Sequence, residues 1–152
     1  MKNNINRRTE SAFTLIELLV VISILGILLA LSVFGLQGAR ESSRDGKRKT
    51  DLEQIRSGIE IYRADCDGYP TSLPAAGAAL VGSGTKSTCP SSNVYISSMP
   101  ADPVPLTHSY LYSSNGSTYE ICASLEQGEG AVTCGGNSNC GGSTCNYKVV
   151  NP

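Results

Sequence analysis

A continuous apolar stretch between Ser11 and Leu36 constrains this chain more than any other part of its sequence. Glu17 is the only charged residue within it. Read as a helix, residues 13–36 extend roughly 36 Å at ~1.5 Å per residue, which is enough to cross a hydrocarbon core of roughly 30 Å. A carboxylate inside a bilayer costs ~2.5–3.5 kcal/mol or more, so such residues usually have a partner. The sequence therefore predicts a membrane-spanning helix in which Glu17 requires a partner.

A short basic segment, residues 1–12, precedes this stretch, and the run FTLIELL follows it directly. This order resembles the class III signal of type IV pilins and type II secretion pseudopilins. The resemblance implies that a prepilin peptidase cuts between Ala12 and Phe13 on the cytoplasmic side. It also implies that the new amino terminus on Phe13 is methylated and that Glu17 is the carboxylate used in assembly. The family usually has Gly before the cut, where this chain has Ala12.

The chemistry of the predicted cut supplies a partner for Glu17. A new α-amine on Phe13 has a reference pKa of ~8 and is mostly cationic at neutral pH, and N-methylation keeps the charge. Glu17 lies one helical turn further on, within reach of this amine in its own chain or in a packed neighbour. We therefore expect Glu17, with Thr14 beside the cut, to fix the axial stagger of packed helices. The alternative is that Glu17 lies in the membrane interface and merely tolerates insertion.

Charge is distributed unevenly along the rest of the chain. The segment 37–50, here called the neck, has five basic residues and two acidic ones, whereas residues 51–152 have four basic and nine acidic ones. The basic neck would place the following domain in the cytoplasm by the positive-inside rule. The class III signal and the cysteines favour export instead, so we expect the neck to face anionic lipid or an acidic neighbour. A cleaved conventional signal peptide ending near Ser32 is a further alternative.

Six cysteines all follow the apolar stretch, an even number that predicts a disulfide framework in an oxidising compartment. They are Cys66, Cys89, Cys122, Cys134, Cys140 and Cys145. The sequence leaves the connectivity open; a Cys66–Cys89 bond is favoured because it would tie a loop to a helix end. A zinc site is disfavoured because there is no C-x-x-C spacing and His108 is far from the cysteine cluster.

Residues 37–65 predict an amphipathic helix. Leu52, Ile55, Ile59 and Tyr62 recur at spacings of 3, 4 and 3 and form one apolar stripe. The sequence Asp-Gly-Tyr-Pro at 67–70 predicts the helix end, with Gly68 as the C′ residue.

The C-terminal half predicts a loop, a hairpin and an irregular tail. Residues 71–92 are expected to form a loop with one helical turn near 75–81. A rigid Pro-x-Asp-Pro turn at 100–103 precedes alternating runs at 109–112 and 118–123, which flank Asn115-Gly116 and predict an antiparallel hairpin. The tail 128–152 is rich in Gly, Ser and Asn, so disulfides are its natural restraint. Lys148-Val149-Val150 is expected as an edge strand.

The predicted fold is α+β: a long N-terminal helix packed on a small antiparallel sheet with a disulfide-stapled C-terminal loop. Its segments are a cleaved leader (1–12), a membrane and assembly helix (13–36), an amphipathic helix (37–65) and a head (66–152). The order of the helix, Asp-Gly-Tyr-Pro, Pro-x-Asp-Pro and Tyr-rich sheet resembles the pilin head. The tyrosines are expected at the rim of the core with hydroxyls in water, a ligand platform being the lesser alternative.

The resemblance implies a structural filament subunit and not an enzyme. The principal hypothesis is a type IV pilus-like filament; the alternatives are a major pseudopilin of a type II secretion system and a minor pilin or anchored binding module for adhesion or DNA uptake. Expected partners are other copies of the chain, the inner membrane, the prepilin peptidase, an assembly platform and a cytoplasmic ATPase. The chain would start in the inner membrane with its head outside the cytoplasm and end in an extracellular pilus or a periplasmic pseudopilus.

Few residues suggest catalysis, a cofactor or nucleic-acid binding. The sequence has a single histidine, His108, and none of the common nucleophile, zinc-protease or phosphate-loop motifs. The acidic head disfavours nucleic acid as a partner. No cofactor is expected; calcium is an alternative, but Glu126 and Glu129 are the only acidic ligands near the tail.

Overall fold

The computed structural model describes residues 13–152, so the predicted leader and Ala12 lie outside the described residues. The chain divides into two compact units between Ala39 and Arg40. The second unit, residues 40–152, is called the head below, which widens the predicted head to include most of the neck and the amphipathic helix. The predicted boundaries at residues 36 and 65 stay predictions.

A single long helix, α1, runs from Leu15 to Cys66. It continues through Gly35, Gly38 and Gly46 without interruption. By length and composition, α1 contains a segment able to cross a membrane. In its second half the predicted stripe is confirmed, because Leu52, Ile55, Ile59 and Tyr62 are all buried.

The end of α1 differs in detail from the prediction. The helix stops at Cys66, and the residue with a left-handed backbone is Asp67, with φ of 63°. Asp tolerates this conformation better than most residues because its short side chain is polar. Gly68 is needed for another reason: a Cβ there would lie 3.1 Å from the carbonyl oxygen of Gly116, whose turn packs on this point. Tyr69 donates its N–H to the same carbonyl at 2.8 Å.

Two small antiparallel sheets complete the head. Strands β1 (Leu80–Val81) and β2 (Val94–Ile96) form the first. Strands β3 (Leu111–Ser114), β4 (Tyr119–Ala123) and β5 (Tyr147–Val150) form the second in the order β3-β4-β5. The predicted hairpin and the C-terminal edge strand are therefore confirmed. The helical turn expected near 75–81 is wrong, since this segment contains a turn followed by β1, which gains its hydrogen bonds by pairing with β2.

Strand β4 is buried on both faces. Tyr119, Ile121 and Ala123 point into the main core, which they share with the stripe of α1. Cys122 points to the opposite face, where a second cluster contains Cys134, Cys140 and Cys145. The tail thus covers the face of the sheet that the alternation of residues alone would leave exposed to solvent. The predicted α+β fold with a disulfide-stapled C-terminal region is confirmed.

Candidate assembly site

The N-terminal turn of α1 is closed by Thr14. Its hydroxyl oxygen accepts the backbone N–H of Glu17 at 3.3 Å, and its carbonyl accepts the N–H of Leu18 at the same distance. Thr14 therefore acts as the N-cap, and Glu17 is the acidic residue of the first turn. The pattern Thr-x-x-Glu is the sequence signature of a capping box, a signal that the sequence analysis did not use.

The Glu17 carboxylate has no hydrogen-bond or ion-pair partner within residues 13–152. Phe13 is 81% exposed, and the large apolar side chains described between Leu15 and Leu31 are exposed by about half or more, from 82% at Leu15 to 49% at Val20. The hydroxyls of Ser23 and Ser32 donate to the carbonyls of the preceding turn at 2.7 and 2.8 Å. The first half of α1 is consequently an apolar surface that requires lipid or other helices to cover it.

A buried ionic cluster holds the start of the head together. We call it the Arg48 cluster; it consists of Arg44, Asp45, Arg48, Asp102 and Glu126. Arg48 is fully buried and makes two bonds to Asp102, Nε–Oδ2 at 2.8 Å and Nη2–Oδ1 at 3.1 Å. Its Nη1 contacts Asp45 at 2.8 Å and Glu126 at 2.9 Å. Arg44 donates to both oxygens of Glu126, with Nε–Oε1 at 2.6 Å.

The carboxylates of this cluster also bind the backbone of loops far away in sequence. Asp45 accepts the N–H groups of Glu126 and Gln127 at 2.8 and 2.9 Å, and Asp102 accepts the N–H of Val104 at 2.8 Å. The cluster thereby joins a helix, which contributes three of its charges, to two loops, which contribute one charge each. Such a cluster leaves no charge unpaired, which is what makes a fully buried guanidinium tolerable.

The cluster changes the proton affinity of its members. Burial lowers the pKa of Arg48, but the hydrogen bonds that it donates to Asp102, Glu126 and Asp45 outweigh burial, and the pKa is raised. The hydrogen bond from Arg44, with help from Arg48, lowers the pKa of Glu126 to about 2. Arg48 and Glu126 are therefore both charged across the physiological range of pH.

The basic side chains of the neck bind different partners from those that the sequence predicted. The sequence analysis placed its cations at anionic lipid or at an acidic neighbour. Instead Arg44 and Arg48 bind acidic groups of their own head, and Lys47 pairs with Asp51 at 3.2 Å. These positive charges are neutralised by acidic side chains within the folded domain.

The environment of the tyrosine hydroxyls also differs from the prediction. They were expected to reach water, but Tyr119 and Tyr69 both donate to Glu60, at 3.0 Å and 3.0–3.1 Å. Tyr110 donates to Asp51 at 2.6 Å. Burial and the neighbouring carboxylates raise the pKa of Tyr119 and Tyr110. The tyrosine hydroxyls therefore bind the sheet and its neighbouring loops to acidic side chains of α1.

The disulfides are Cys66–Cys89, Cys122–Cys134 and Cys140–Cys145. The first is the bond that the sequence analysis favoured. Glu126, considered as a calcium ligand, binds arginines instead, and Glu129 is exposed. Within the described residues, no group of three or more His, Cys, Asp or Glu side chains could hold a metal ion. The absence of a cofactor stays a prediction.

Comparison with known families accounts for most of the chain. A model described as "Prokaryotic N-terminal methylation motif" matches residues 7–33, which include Ala12, Phe13, Thr14 and Glu17. A model described as "Type II secretion system (T2SS), protein G" matches residues 36–140. This chain belongs to the type II secretion protein G family. The suspected resemblance to pilins and pseudopilins is confirmed, and within that resemblance the match favours the secretion branch.

Relatives named "Type II secretion system core protein G" are similar over most of their length. The protein of Vibrio cholerae serotype O1 is 31% identical over 141 residues, which cover 87% of this chain and 94% of the relative. That of Dickeya chrysanthemi is 32% identical over 149 residues, covering 87% and 97%. That of Aeromonas hydrophila is 37% identical over 100 residues, covering 64% and 69%. No solved structure gives a significant match.

Proposed function

We propose that this chain is the repeating structural subunit of a type II secretion pseudopilus. A prepilin peptidase cuts between Ala12 and Phe13, the new terminus is methylated, and copies leave the inner membrane to pack side by side through the first half of α1. The mature filament is periplasmic. An assembly platform and a cytoplasmic ATPase drive the extraction, and the chain itself catalyses no reaction.

The observation that carries this proposal is the joint match to a methylation motif and to protein G, on a chain whose apolar half has no cover of its own. Lipid gives apolar helices little reason to associate, so packing and polar pairs have to drive assembly. Glu17 lacks a partner within the described residues and lies one turn from the proposed terminus at Phe13. An α-amine on a neighbouring copy supplies a partner and a defined axial stagger.

Replacement of the carboxylate tests this mechanism. Glu17→Ala and Glu17→Gln variants are expected to insert and to be cut normally but to form few or no filaments, since the buried amine then lacks its counter-charge. Glu41→Ala is the matched control, because Glu41 is also an acidic residue of α1 but lies outside the apolar segment. Normal filaments from the Glu17→Ala variant would refute the assigned role of the carboxylate.

A surface pilus is the second candidate, favoured by the cysteine-rich tail with its two disulfides. The two candidates differ in where the filament ends. Labelling of intact cells with an antibody against the head detects a surface pilus, whereas a pseudopilus is labelled only after the outer membrane is opened. Secretion of exported enzymes should fail when the gene is deleted if the pseudopilus proposal is right.

A further inference from the structure

The turn between β3 and β4 contains Asn115-Gly116, the only Asn-Gly pair in the chain. We call residues 115–118 the hairpin tip. An asparagine followed by glycine is especially prone to spontaneous deamidation, because glycine has no Cβ to hinder the approach of its backbone nitrogen to the preceding side chain. Asn115 is exposed, so water reaches it freely. The tip therefore carries an intrinsically reactive site on the surface of the head.

The reaction of this pair needs only water. The backbone nitrogen of Gly116 forms a bond to Cγ of Asn115, the Cγ–Nδ2 bond breaks, and Nδ2 leaves as ammonia with the proton of the Gly116 N–H. Water then opens the cyclic imide. Opening at Cγ gives aspartate, whereas opening at the backbone carbonyl carbon gives isoaspartate, in which the main chain runs through Cγ. No oxidant, reductant or second enzyme is required.

Hydrogen bonds inside the tip oppose the first step. The Oδ1 atom of Asn115 accepts the N–H groups of Ser117 and Thr118 at 3.0 and 2.8 Å, and the Thr118 hydroxyl at 3.1 Å. Such bonds from an asparagine side chain to the backbone that follows it fix a turn. The attacking group is also occupied, since the Gly116 N–H donates to the Ser114 hydroxyl at 3.0 Å. Ring closure requires both groups to leave these partners.

Contacts with the segment after α1 hold the tip from outside. The Gly116 carbonyl accepts the Tyr69 N–H at 2.8 Å, and the Tyr112 hydroxyl donates to the Pro70 carbonyl at 2.7 Å. The rings of Tyr69 and Tyr119 pack edge-on with their centroids 4.6 Å apart. Rotation of the Asn115 backbone towards ring closure moves Gly116, so this docking opposes the rotation.

From these observations we propose that Asn115 is a deamidation site that the docked hairpin tip keeps closed and that becomes reactive when the tip leaves the end of α1. The inference does not depend on the proposed filament function. An isoaspartate lengthens the main chain at the tip and displaces the Gly116 carbonyl from Tyr69, and either product adds a negative charge. The reaction thus marks chains whose heads have opened, and a chain with isoaspartate does not regain the same docking.

Gly68 offers a way to loosen the docking without changing the reactive pair. A Cβ at Gly68 would lie 3.1 Å from the Gly116 carbonyl oxygen, which is tighter than an ordinary contact. Gly68 does not have a positive φ, so its own backbone tolerates alanine. Gly68→Ala is therefore expected to push the tip away from the end of α1. The matched control is Gly46→Ala, since a Cβ at Gly46 meets nothing within 4 Å and alanine is favoured within a helix.

The test follows deamidation of the full chain in detergent, with its disulfides intact, at mildly alkaline pH. Peptide mass spectrometry and labelling by an isoaspartyl methyltransferase measure the rate at Asn115. In denaturant we expect Asn115 to react much faster than Asn137, which is also exposed in the fold but is followed by Ser138. In the folded chain we expect Asn115 to react at least about tenfold more slowly than in denaturant, because only locally opened molecules react.

The variants test whether docking is the cause of this protection. Loss of about one hydrogen bond raises the locally open fraction by about fivefold, so Gly68→Ala should accelerate the folded chain by about that factor. Gly46→Ala should react at the wild-type rate. Thr118→Val removes only the hydroxyl bond to Asn115, and a smaller acceleration is expected. If circular dichroism shows that Gly68→Ala does not fold, Thr118→Val decides.

Three results would overturn the inference. The first is an equal rate at Asn115 in the folded and the denatured chain, which would mean that the fold gives no protection. The second is a denatured chain in which Asn115 reacts no faster than Asn137. The third is a folded Gly68→Ala variant that reacts no faster than Gly46→Ala or, where Gly68→Ala does not fold, a Thr118→Val variant that reacts at the wild-type rate.

Discussion

Arg48 and Asp102 form a two-bond ion pair across 54 positions of the sequence, at 2.8 and 3.1 Å, and both side chains are buried. The pair joins α1 to the turn that displays Leu106. An unpaired charge in the protein interior costs several kcal/mol of folding free energy. The fold therefore requires this ion pair.

Removal of one partner should therefore unfold much of the head. Arg48→Met is expected to reduce the free energy of unfolding by about 3–5 kcal/mol, since Asp102 and Asp45 are left without their cation. Chemical denaturation of the full chain in detergent measures this. The control is Arg56→Met, because Arg56 and Glu53 form an exposed pair at 3.6 Å, which is worth about 0–1 kcal/mol. Equal effects of the two substitutions would contradict the assigned role of the cluster.

Acid should weaken the same cluster through Glu126. The pKa of this carboxyl is lowered to about 2 in the fold, chiefly by the hydrogen bond from Arg44. A lowered pKa in the folded state gives stability that is complete above the unfolded pKa of about 4.5 and is lost as the pH falls towards 2.

We therefore expect Glu126→Gln to lower the melting temperature at pH 7 and to have little effect near pH 2. Thermal melts at a series of pH values measure the difference between the variant and the wild type. Glu129→Gln, which changes an exposed carboxylate without an ion pair in the described residues, should follow the wild type. A Glu126→Gln effect that does not change with pH would show that packing, not charge, accounts for it.

The Cys122–Cys134 bond should control the order of the tail. Replacement of both residues by Ser is expected to cost about 2–5 kcal/mol and to make residues 128–146 sensitive to limited proteolysis, because this segment has few apolar side chains. Replacement of Cys66 and Cys89 should instead loosen the loop 71–92 and leave the tail resistant. Mass spectrometry of the fragments distinguishes the two. Cleavage in the same segment for both variants would contradict this division.

Thr14 should stabilise the first turn of α1. Thr14→Ala is expected to cost about 1 kcal/mol locally by removing the acceptor for the Glu17 N–H. Hydrogen exchange in detergent micelles should show faster exchange at Glu17 and little change beyond the first turn. Thr14→Ser retains the hydroxyl and should behave like the wild type; faster exchange in that variant as well would indicate that the methyl group, not the hydrogen bond, is required.

Much of this fold could be predicted from local patterns in the sequence. The stripe from Leu52 to Tyr62 and the alternation around Ile121 reflect helix and strand periods, which depend only on near neighbours. The Cys66–Cys89 bond was favoured because it would tie the loop 71–92 to the end of the helix. The family resemblance rests on residues 13–19, which follow a basic segment. An acidic side chain such as Glu17 is rare in an apolar membrane segment and usually has a function.

Contacts between distant segments were not predicted. Nothing local to Asp102 indicates that it binds Arg48, and the tyrosine hydroxyls find Glu60 and Asp51 only once the sheet is placed on the helix. Gly68 was assigned to a backbone conformation, whereas its role is to let the Gly116 turn approach, which depends on the tertiary fold. Strand β1 has two residues and exists only through its partner, so propensity gives no signal for it.

The most direct test of the central claim is the intact mass and N-terminal sequence of the protein isolated from membranes. The claim requires a chain that begins at N-methylated Phe13 and still contains the whole of α1. A chain that begins after Ser32 or Ala39, and so has lost the apolar half of the helix, would contradict it.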